Sequence, residues 1–332
     1  MTHQLDVIAL GNAIVDVLAH TDEAFLEQHG IPKGAFVLID TAKAEIITAA
    51  LNPTDQIAGG SAGNSMACLA SLGGKAGFIG KVADDELGDV YRASMKDTGV
   101  EMTTRSIEGD MPTGRCLIAV TPDAERSMAT YLGAAAMVAP DDVEETYIQT
   151  AAVVYFEGYQ FEQDLPNKAL VKASAFARAA GRKTALTLSD VGVVERNRDA
   201  LLAFIKDHID ILFANEDEAH ALFGNHDNAA ALAKEMSEIV PFGAVTKSER
   251  GSMVFGPDHA PEDVEAYTPP QLVDTTGAGD AYAGGFLYGF VRDMPLDQCA
   301  RLGSLSASEV ISHMGPRPQI SLLDLAKKHG LL

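Results

Sequence analysis

Apolar runs and helical patterns alternate through the second half of the chain. Four short runs are rich in β-branched or aromatic side chains, as buried strands are. They lie at 152–156, 184–188, 209–213 and 243–246. Residues 165–180 have helical spacing and end at a glycine. Because strands separated by helices pair in parallel, this half predicts a parallel sheet with helices on both faces.

The first 130 residues have a different pattern. Short alternating runs at 14–18, 36–39 and 115–120 are interleaved with helical stretches, one after Asn64 and one starting at 84–88. Alternation of apolar and polar positions is typical of a strand with one face buried. We therefore expect a small, half-buried β-layer added to the main sheet.

A chain of 332 residues is long enough for one large α/β domain or for two smaller ones. The sequence has no low-complexity tract, no internal repeat and no long linker rich in Pro and Ser, so it marks no domain boundary. The chain is therefore treated as one continuous unit, although its length alone allows two.

The chain is strongly acidic. It has 25 Lys and Arg against 47 Asp and Glu, which gives a formal net charge of −22 spread over its whole length. Nucleic acids and anionic membranes need a basic face, so neither is an expected partner. A phosphate-bearing substrate would need neutralisation by backbone N–H groups, a bound cation or a few placed basic side chains.

Three scattered cysteines, Cys68, Cys116 and Cys299, form no C-x-x-C pair or disulfide framework. No basic segment precedes the short apolar run near the first residue. No stretch approaches the roughly 18 apolar residues of a membrane span. These features predict reduced cysteines and a cytoplasmic protein.

Residues 274–280, Asp-Thr-Thr-Gly-Ala-Gly-Asp, form a glycine-rich segment between two predicted elements. Residues 271–273 predict a short strand, and apolar side chains at helical spacing after the segment predict a helix. A turn that opens a helix presents free N–H groups at the positive end of the helix dipole, where an anion is stabilised. Asp280 falls in the first helical turn, where a carboxylate can accept the proton of a substrate hydroxyl during phosphoryl transfer.

A plain tight turn with an aspartate N-cap would explain the same Gly-Ala-Gly-Asp segment. Two other phosphate-binding loops are excluded. The pattern G-x-x-x-x-G-K-[ST] does not occur, and the dinucleotide fingerprint fails because Tyr282 replaces its third glycine. The segment therefore stays either an anion site or a structural turn on its own evidence.

Residues 273–286 closely resemble the C-terminal signature of the ribokinase/phosphofructokinase-B family of carbohydrate and nucleoside kinases, and similarity covers nearly the full chain. The resemblance implies an ATP-dependent kinase with an α/β fold. That fold is a ribokinase-like three-layer α/β/α sandwich with a mostly parallel central sheet and a small β-sheet lid. It implies one kinase domain over 1–332, with lid strands drawn from about 12–40 and 103–121.

The resemblance assigns roles to the residues of the glycine-rich segment. The backbone of Gly277, Ala278 and Gly279 would form an anion hole for the transferred phosphoryl group. Asp280 would be the catalytic base, and Thr275 would contact the nucleotide. These assignments are implied by the resemblance and are expectations for the structure.

Asn215 and Glu218 follow the predicted strand at 209–213 with the spacing of a capping box, so helix initiation alone would explain the pair. The resemblance implies in addition that both help to hold Mg²⁺·ATP and its water shell, and oxygen ligands suit Mg²⁺. Some family members also need a monovalent cation such as K⁺, and Asp274 and Thr276 would lie nearest to it.

The expected nucleotide loop departs from the family pattern Thr-x-Gly-x-x-Gly, because Ser248 stands where the first glycine is expected. Thr246 and Gly251 match the ends of the pattern and would contact the nucleotide. Lys247 or Arg250 could neutralise phosphate charge. A solvated turn would explain the same residues without any nucleotide.

The expected substrate end consists of Asp16, Gly59, Gly60 and Asn64. A strand-end turn and a flexible loop with a helix cap are the plain structural explanations. By resemblance, the glycine backbone approaches the acceptor while Asp16 and Asn64 bind its hydroxyls. A carboxylate can accept hydrogen bonds from both hydroxyls of a ribose-like diol.

The opening of the chain and its Gly-Gly-Ser-x-x-Asn-Ser loop resemble the adenosine kinase group of the family more than ribokinases. Phosphorylation of the 5′-hydroxyl of adenosine is therefore the favoured function. Leu132 and Tyr159 are candidates for a base slot, although such positions more often belong to the core. A kinase for ribose, a fructose-like sugar or another nucleoside stays open, as do a non-catalytic binding protein and a monomer or homodimer.

Overall fold

The computed structural model describes residues 4–123, 125–257 and 259–332, and in these ranges the chain forms fourteen strands and twelve α-helices. The strands are β1 (Leu5–Leu10), β2 (Ile14–His20), β3 (Phe36–Leu38), β4 (Asp55–Ala58), β5 (Ala76–Ile79), β6 (Glu101–Met102), β7 (Gly114–Val120), β8 (Arg126–Tyr131), β9 (Ala151–Glu157), β10 (Lys183–Thr187), β11 (Ile211–Asn215), β12 (Phe242–Thr246), β13 (Ser252–Gly256) and β14 (His259–Val264). The helices are α1 (Glu23–His29), α2 (Thr41–Ala50), α3 (Ser61–Ser71), α4 (Glu86–Asp97), α5 (Glu145–Ile148), α6 (Asp164–Ala179), α7 (Val191–His208), α8 (Glu216–Phe223), α9 (Ala229–Ser237), α10 (Ala278–Phe290), α11 (Leu296–Val310) and α12 (Leu322–Lys328). Within the described ranges, none of these helices has the length and apolarity to cross a membrane.

Nine strands form the main sheet, in the order β14-β13-β12-β11-β10-β9-β1-β5-β6. The strands from β12 to β6 pair in parallel, while β13 and β14 are antiparallel at one edge. Val153 and Tyr155 of β9 enter an apolar core with α3, α10 and α11, whereas Val154 and Phe156 enter a second core with α6 to α9. The predicted three-layer α/β/α sandwich is confirmed.

The four apolar strands predicted at 152–156, 184–188, 209–213 and 243–246 are all present, within two residues of the expected bounds. Strand β9 reads Ala-Ala-Val-Val-Tyr-Phe-Glu and is buried along its length on both faces. Burial on both faces explains why its sequence is a continuous apolar run instead of an alternating one. The predicted helix between β9 and β10 is α6.

Five further strands form a separate small sheet, in the order β3-β8-β7-β2-β4. The alternating pattern predicts a half-buried layer, but β2 and β7 are buried along nearly their whole length. Val15 and Val17 pack in one apolar cluster with Leu26 of α1 and Ile47 of α2, and alternate residues of the same strands face a cavity. Strands β4 and β8 lie outside the expected lid ranges, so the small sheet draws on more of the chain than expected.

The strand predicted at 271–273 is wrong. After β14 ends, the chain leaves the main sheet and runs past the end of α11. Val273 donates its N–H to Ile311 O at 2.9 Å, and Leu272 is 67% exposed. The segment therefore bonds to the residue after the end of α11 instead of joining a ladder of strand hydrogen bonds.

Helix α3 begins at Ser61, whereas the sequence predicts a helix only after Asn64. Serine, glycine and asparagine are poor helix formers, which explains the late prediction. Tertiary packing overrides that propensity, because α3 lies so close to α10 that a Cβ on Gly284 would be 2.4 Å from Ser65 O. Asn64 consequently lies inside the helix.

Candidate active site

A cavity of about 520 Å³ lies between the small sheet and the carboxyl ends of the main-sheet strands. Most residues singled out in the sequence line this cavity. They are Asp16, Gly60, Asn64, Leu132, Tyr159, Asn215, Glu218, Thr246, Thr275, Thr276, Gly277, Ala278, Gly279 and Asp280. Gly59 and Gly251 do not line it. The carboxyl ends of parallel strands are the usual place for a ligand in such folds.

The glycine-rich turn leads into α10 without a side-chain cap. Gly277 has a φ of 79°, and a Cβ there would lie 2.7 Å from the Cβ of Pro316, so glycine is required. The N–H groups of Gly279 and Asp280 have no hydrogen-bond partner in the described part of the chain, whereas the Ala278 N–H donates within the turn at 3.2 Å. A Cβ on Gly279 would meet no atom within 4 Å. Free amides at a helix start beside open space can bind an anion.

Two side chains of α3 hold the Asp280 carboxylate. Ser61 Oγ donates to Oδ1 at 2.6 Å, and Asn64 Nδ2 donates to Oδ2 at 3.0 Å. Burial raises the pKa of Asp280 above its usual range, and these two hydrogen bonds oppose part of that effect. Each oxygen keeps a lone pair, so the carboxylate can accept a proton from a hydroxyl in the cavity. Ser61 is absent from the predicted set, although it directly follows the two glycines.

Arg317 lies in the segment between α11 and α12, and its side chain is buried. Its Nε donates to Asn64 Oδ1 at 3.1 Å, and its Nη2 donates to Gly59 O at 3.1 Å. Because Asn64 Oδ1 faces the guanidinium, Asn64 Nδ2 faces Asp280. Arg317 is also absent from the predicted set, and the prolines on either side are its one sequence signal of a fixed backbone.

The loop before α3 packs directly against Asp16. A Cβ on Gly59 would lie 2.6 Å from Asp16 Oδ2, and a Cβ on Gly60, whose φ is 80°, would lie 2.1 Å from Asn12 O. Both positions therefore need glycine. Burial raises the pKa of Asp16 to about 7, with the charge of Arg317 opposing part of the shift. Gly59 thus supports the site from behind the carboxylate.

Glu157, the last residue of β9, is a buried carboxylate that the sequence reading missed. Its Oε1 accepts from the Asn12 N–H at 2.7 Å, and its Oε2 accepts from the Ala62 N–H at 2.8 Å. Burial raises its pKa to about 7. The side chain joins the turn after β1 to the start of α3. A charged residue closing an otherwise apolar strand was an available signal for such a role.

Asn215 and Glu218 form the capping box at the start of α8. Asn215 Oδ1 accepts from the Glu218 N–H at 2.8 Å, while Glu218 Oε2 accepts from the Asn215 N–H at 3.0 Å. Glu218 is 7% exposed, lines the cavity and has no cationic partner in the described residues. Burial raises its pKa to about 7. A buried carboxylate without a counter-charge, facing a cavity, fits a hydrated Mg²⁺ ion.

The expected nucleotide loop is only partly in the cavity. Thr246 lines it, whereas Gly251, with a φ of 87°, closes the turn between β12 and β13. Lys247 pairs with an aspartate of β14 at 2.6 Å, and Arg250 pairs with a glutamate of α8. Neither cation lines the cavity. Ser248 adopts a φ of 54°, so the backbone keeps the left-handed conformation that the missing glycine would adopt.

The charge of the cavity lining is mostly negative. Of the described residues that line it, six are carboxylates and one is a cation, Arg196. The carboxylates are Asp16, Glu157, Glu162, Asp190, Glu218 and Asp280. A phosphate group would therefore depend on backbone amides and on a bound cation for neutralisation.

The other end of the cavity is apolar. Its wall consists of Phe36 and Leu38 of β3, residues of β7 and β8, Leu132 and Tyr159. The ring centroids of Phe36 and Tyr159 are 6.4 Å apart, which joins the small sheet to the main domain. Tyr159 Oη donates to Ser189 O at 3.4 Å, so the ring has a fixed orientation. This end offers aromatic and aliphatic surface to a flat apolar group.

Residues 40–321 match the family described as pfkB family carbohydrate kinase. The solved adenosine kinase from Sinorhizobium meliloti is 42% identical, with a TM-score of 0.91 over 98% of this chain and 99% of that one. A probable sugar kinase from Rhizobium etli is 39% identical, with a TM-score of 0.92 over 99% of this chain and 100% of that one. The 5-dehydro-2-deoxygluconokinase of Shouchella clausii is 28% identical over 93% of this chain and 90% of its own length.

Proposed function

The chain belongs to the pfkB family of carbohydrate kinases, and we propose that it phosphorylates the 5′-hydroxyl of adenosine with ATP, giving AMP and ADP. Membership of the family makes the protein a phosphotransferase with a hydroxyl acceptor, and the family uses ATP, usually with Mg²⁺. The similar proteins divide between nucleoside and sugar kinases. The acceptor is therefore argued from the cavity itself.

One observation carries the choice of a nucleoside. The apolar wall formed by Phe36, Leu38, Leu132 and Tyr159 lines the same cavity as the Asp16 carboxylate. Asp16 suits the two hydroxyls of a ribose, and the wall suits a flat base attached to that ribose. A free pentose or hexose would leave most of the wall without an apolar partner, which lowers the gain from burial.

In this proposal Asp280 is the general base. Its oxygens are fixed by Ser61 and Asn64, and the raised pKa makes it a stronger base than an exposed aspartate. Asp280 takes the proton of the 5′-hydroxyl as that oxygen bonds to the γ-phosphorus and the bond to the leaving oxygen breaks. The Gly279 and Asp280 amides stabilise negative charge on the transferred group.

Asn215 and Glu218 would hold Mg²⁺ through its water shell, and the ion would neutralise the phosphate oxygens. The charge of Mg²⁺ is needed because the lining is acidic and, among the described residues, has one cationic side chain. Thr246 and Thr275 line the cavity and would contact the nucleotide.

An acceptor screen tests the proposal. ADP release is measured with Mg²⁺·ATP and adenosine, guanosine, inosine, ribose, fructose or 5-dehydro-2-deoxygluconate. We expect kcat/KM for adenosine to exceed that for each free sugar by about 100-fold or more, because a sugar leaves the apolar wall uncovered, and to exceed that for guanosine and inosine by a smaller factor. A clear preference for a free sugar would overturn the nucleoside proposal and leave the kinase assignment intact.

A matched ligand controls for the position of transfer. 5′-Deoxyadenosine keeps the base and the diol but lacks the accepting hydroxyl. It should inhibit competitively against adenosine without supporting ADP release, and phosphorus NMR of the adenosine reaction should show AMP. Transfer to 5′-deoxyadenosine would place the acceptor elsewhere on the ribose.

A further inference from the structure

The glycine-rich turn of residues 274–280, called the anion turn from this point, contacts a guanidinium of the small sheet. Arg126, the first residue of β8, places Nη1 2.8 Å from Asp274 Oδ2 and 3.1 Å from Thr276 Oγ1. The Arg126 side chain is 16% exposed and the Asp274 side chain 4% exposed. Neither member of the pair lines the cavity, so the pair lies behind the turn.

The Asp274 carboxylate has no oxygen lone pair left for a metal ion. Its Oδ1 accepts from the Thr276 N–H at 3.1 Å and from Thr276 Oγ1 at 2.8 Å. Its Oδ2 accepts from the Gly315 N–H at 3.1 Å and from the Arg126 guanidinium. Four donors saturate a carboxylate. A K⁺ ion at these residues would also face a permanent positive charge at close range.

We propose that Arg126 supplies the positive charge that some relatives take from a monovalent cation, so that this enzyme works without K⁺. The kinetic part of the proposal rests on the proposed phosphotransfer. Asp274 and Thr276, the residues expected to lie nearest to K⁺, are those that Arg126 contacts. The inference rests on this difference: a K⁺ ion is expected at Asp274 and Thr276, and the structure has the Arg126 guanidinium there.

The source of the charge has a structural consequence. A dissolved ion binds the turn whatever the position of the small sheet, whereas Arg126 is part of β8. The support that Arg126 gives to the turn therefore lasts only while the small sheet keeps its place over the cavity. Arg126 couples the cover of the acceptor site to the geometry of the phosphate site.

Cation replacement in solution is the first test. Activity of the natural protein is compared in potassium chloride and in tetramethylammonium chloride at the same ionic strength. We expect the two rates to agree within about twofold, because the Asp274 carboxylate is already saturated by donors. Activation by K⁺ of about fivefold or more would overturn the proposal.

Two variants give the matched comparison. Arg126→Lys keeps a positive charge and should stay insensitive to K⁺. Arg126→Met removes the charge but keeps much of the apolar stem, and it should lose at least about tenfold in kcat and regain most of it with K⁺. A loss that no monovalent ion restores would show that Arg126 does not stand in place of a cation, and the proposal would fall.

A diffraction readout separates this inference from the proposed function. Crystals of the natural protein and of Arg126→Met are soaked in Tl⁺, a K⁺ surrogate with strong anomalous scattering. We expect a Tl⁺ peak beside Asp274 in Arg126→Met and none there in the natural protein. A peak in the natural protein, or none in either, would overturn the inference. The result holds even if every acceptor in the screen fails.

Discussion

The two ends of the cavity are held in different ways. At the end proposed to take the phosphate, called the phosphate end, Asp280 accepts hydrogen bonds from two side chains, and Asn64, one of these donors, accepts in turn from Arg317. At the other end, apolar side chains form the wall, and Phe36 and Leu38 of the small sheet are 39% and 44% exposed. The phosphate end is preorganised, while the apolar end can adapt to its ligand. We therefore expect substitutions at the first end to change turnover and those at the second to change the affinity and choice of acceptor.

The largest effect expected is that of Asp280→Asn. The amide is nearly isosteric, and the rotatable Ser61 hydroxyl can exchange donor for acceptor, so the fold and adenosine binding should persist. The variant lacks a base, and kcat should fall by about 1000-fold. Steady-state kinetics measure the loss, and calorimetric titration measures adenosine affinity.

An exposed aspartate provides the control. Asp324→Asn, in the first turn of α12, makes the same chemical change on the protein surface and should leave kcat within about twofold. Near-normal turnover of Asp280→Asn would remove Asp280 from the role of base and with it the idea that the phosphate end governs turnover.

Gly279→Ala should have the next largest effect. The new methyl group meets no protein atom within 4 Å, so the melting temperature should change little. It would occupy the open space beside the free Gly279 and Asp280 amides, where the transferred group must lie. We expect kcat to fall by about 100-fold, the usual loss when an anion-stabilising donor is made ineffective.

The same variant discriminates between the ends of the cavity. Adenosine affinity, measured by calorimetry without nucleotide, should stay within about threefold of the natural value, because the methyl group meets no residue of the apolar wall within 4 Å. Equal losses of adenosine affinity and of kcat would show that the two ends are not energetically separate.

The sequence predicts correctly those parts of the site that are formed by residues close together in the chain. The turn that positions Asp280 and the capping box of Asn215 and Glu218 are each formed by neighbours in sequence, and the structure contains both. The strands around them are predicted because double-sided burial leaves a continuous apolar run.

The supports of these residues could not be predicted in that way. Glu157 contacts Asn12 across 145 residues, and Arg317 contacts Asn64 across 253. A charged side chain at such positions has no periodicity or spacing to mark it, since its partners are set by how sheet and helices pack. The same reason hides Arg126, which reaches the anion turn from another sheet.

A pH titration tests the role of Asp16, and the change expected in adenosine KM is about tenfold. Burial raises the pKa of Asp16 to about 7, so the carboxyl is ionised above that pH and protonated below it. The ionised form accepts from both ribose hydroxyls, and the protonated form loses that charge. Adenosine KM should therefore rise about tenfold from pH 8 to pH 6. The pKa of Asp280 is also raised, so protonation of this base lowers kcat as the pH falls. KM and kcat are therefore analysed separately.

Asp16→Asn is the matched variant for this titration. Its side chain does not ionise, so KM should be high at both pH values and nearly equal. A natural enzyme whose KM is the same at pH 6 and pH 8 would contradict a role for an ionised Asp16 in holding the diol.

The smallest effect is expected at the apolar end. Phe36→Ala removes a ring that packs near Tyr159, and its partial exposure limits the loss. We expect adenosine KM to rise about threefold to tenfold, the usual value of an aromatic contact, with kcat nearly unchanged. KM for any sugar that the enzyme accepts should not change, because a sugar has no base to touch the wall.

Ile46→Ala controls for loss of an apolar side chain in the layer that carries the small sheet. Ile46 is exposed on α2 and does not line the cavity, so its KM values should stay at the natural level. If Phe36→Ala raised KM for adenosine and for a free sugar alike, the wall would act only by shielding the site from water. Recognition of the acceptor would then lie with Asp16 and Asn64 alone, and the preorganised polar residues would govern affinity as well as turnover.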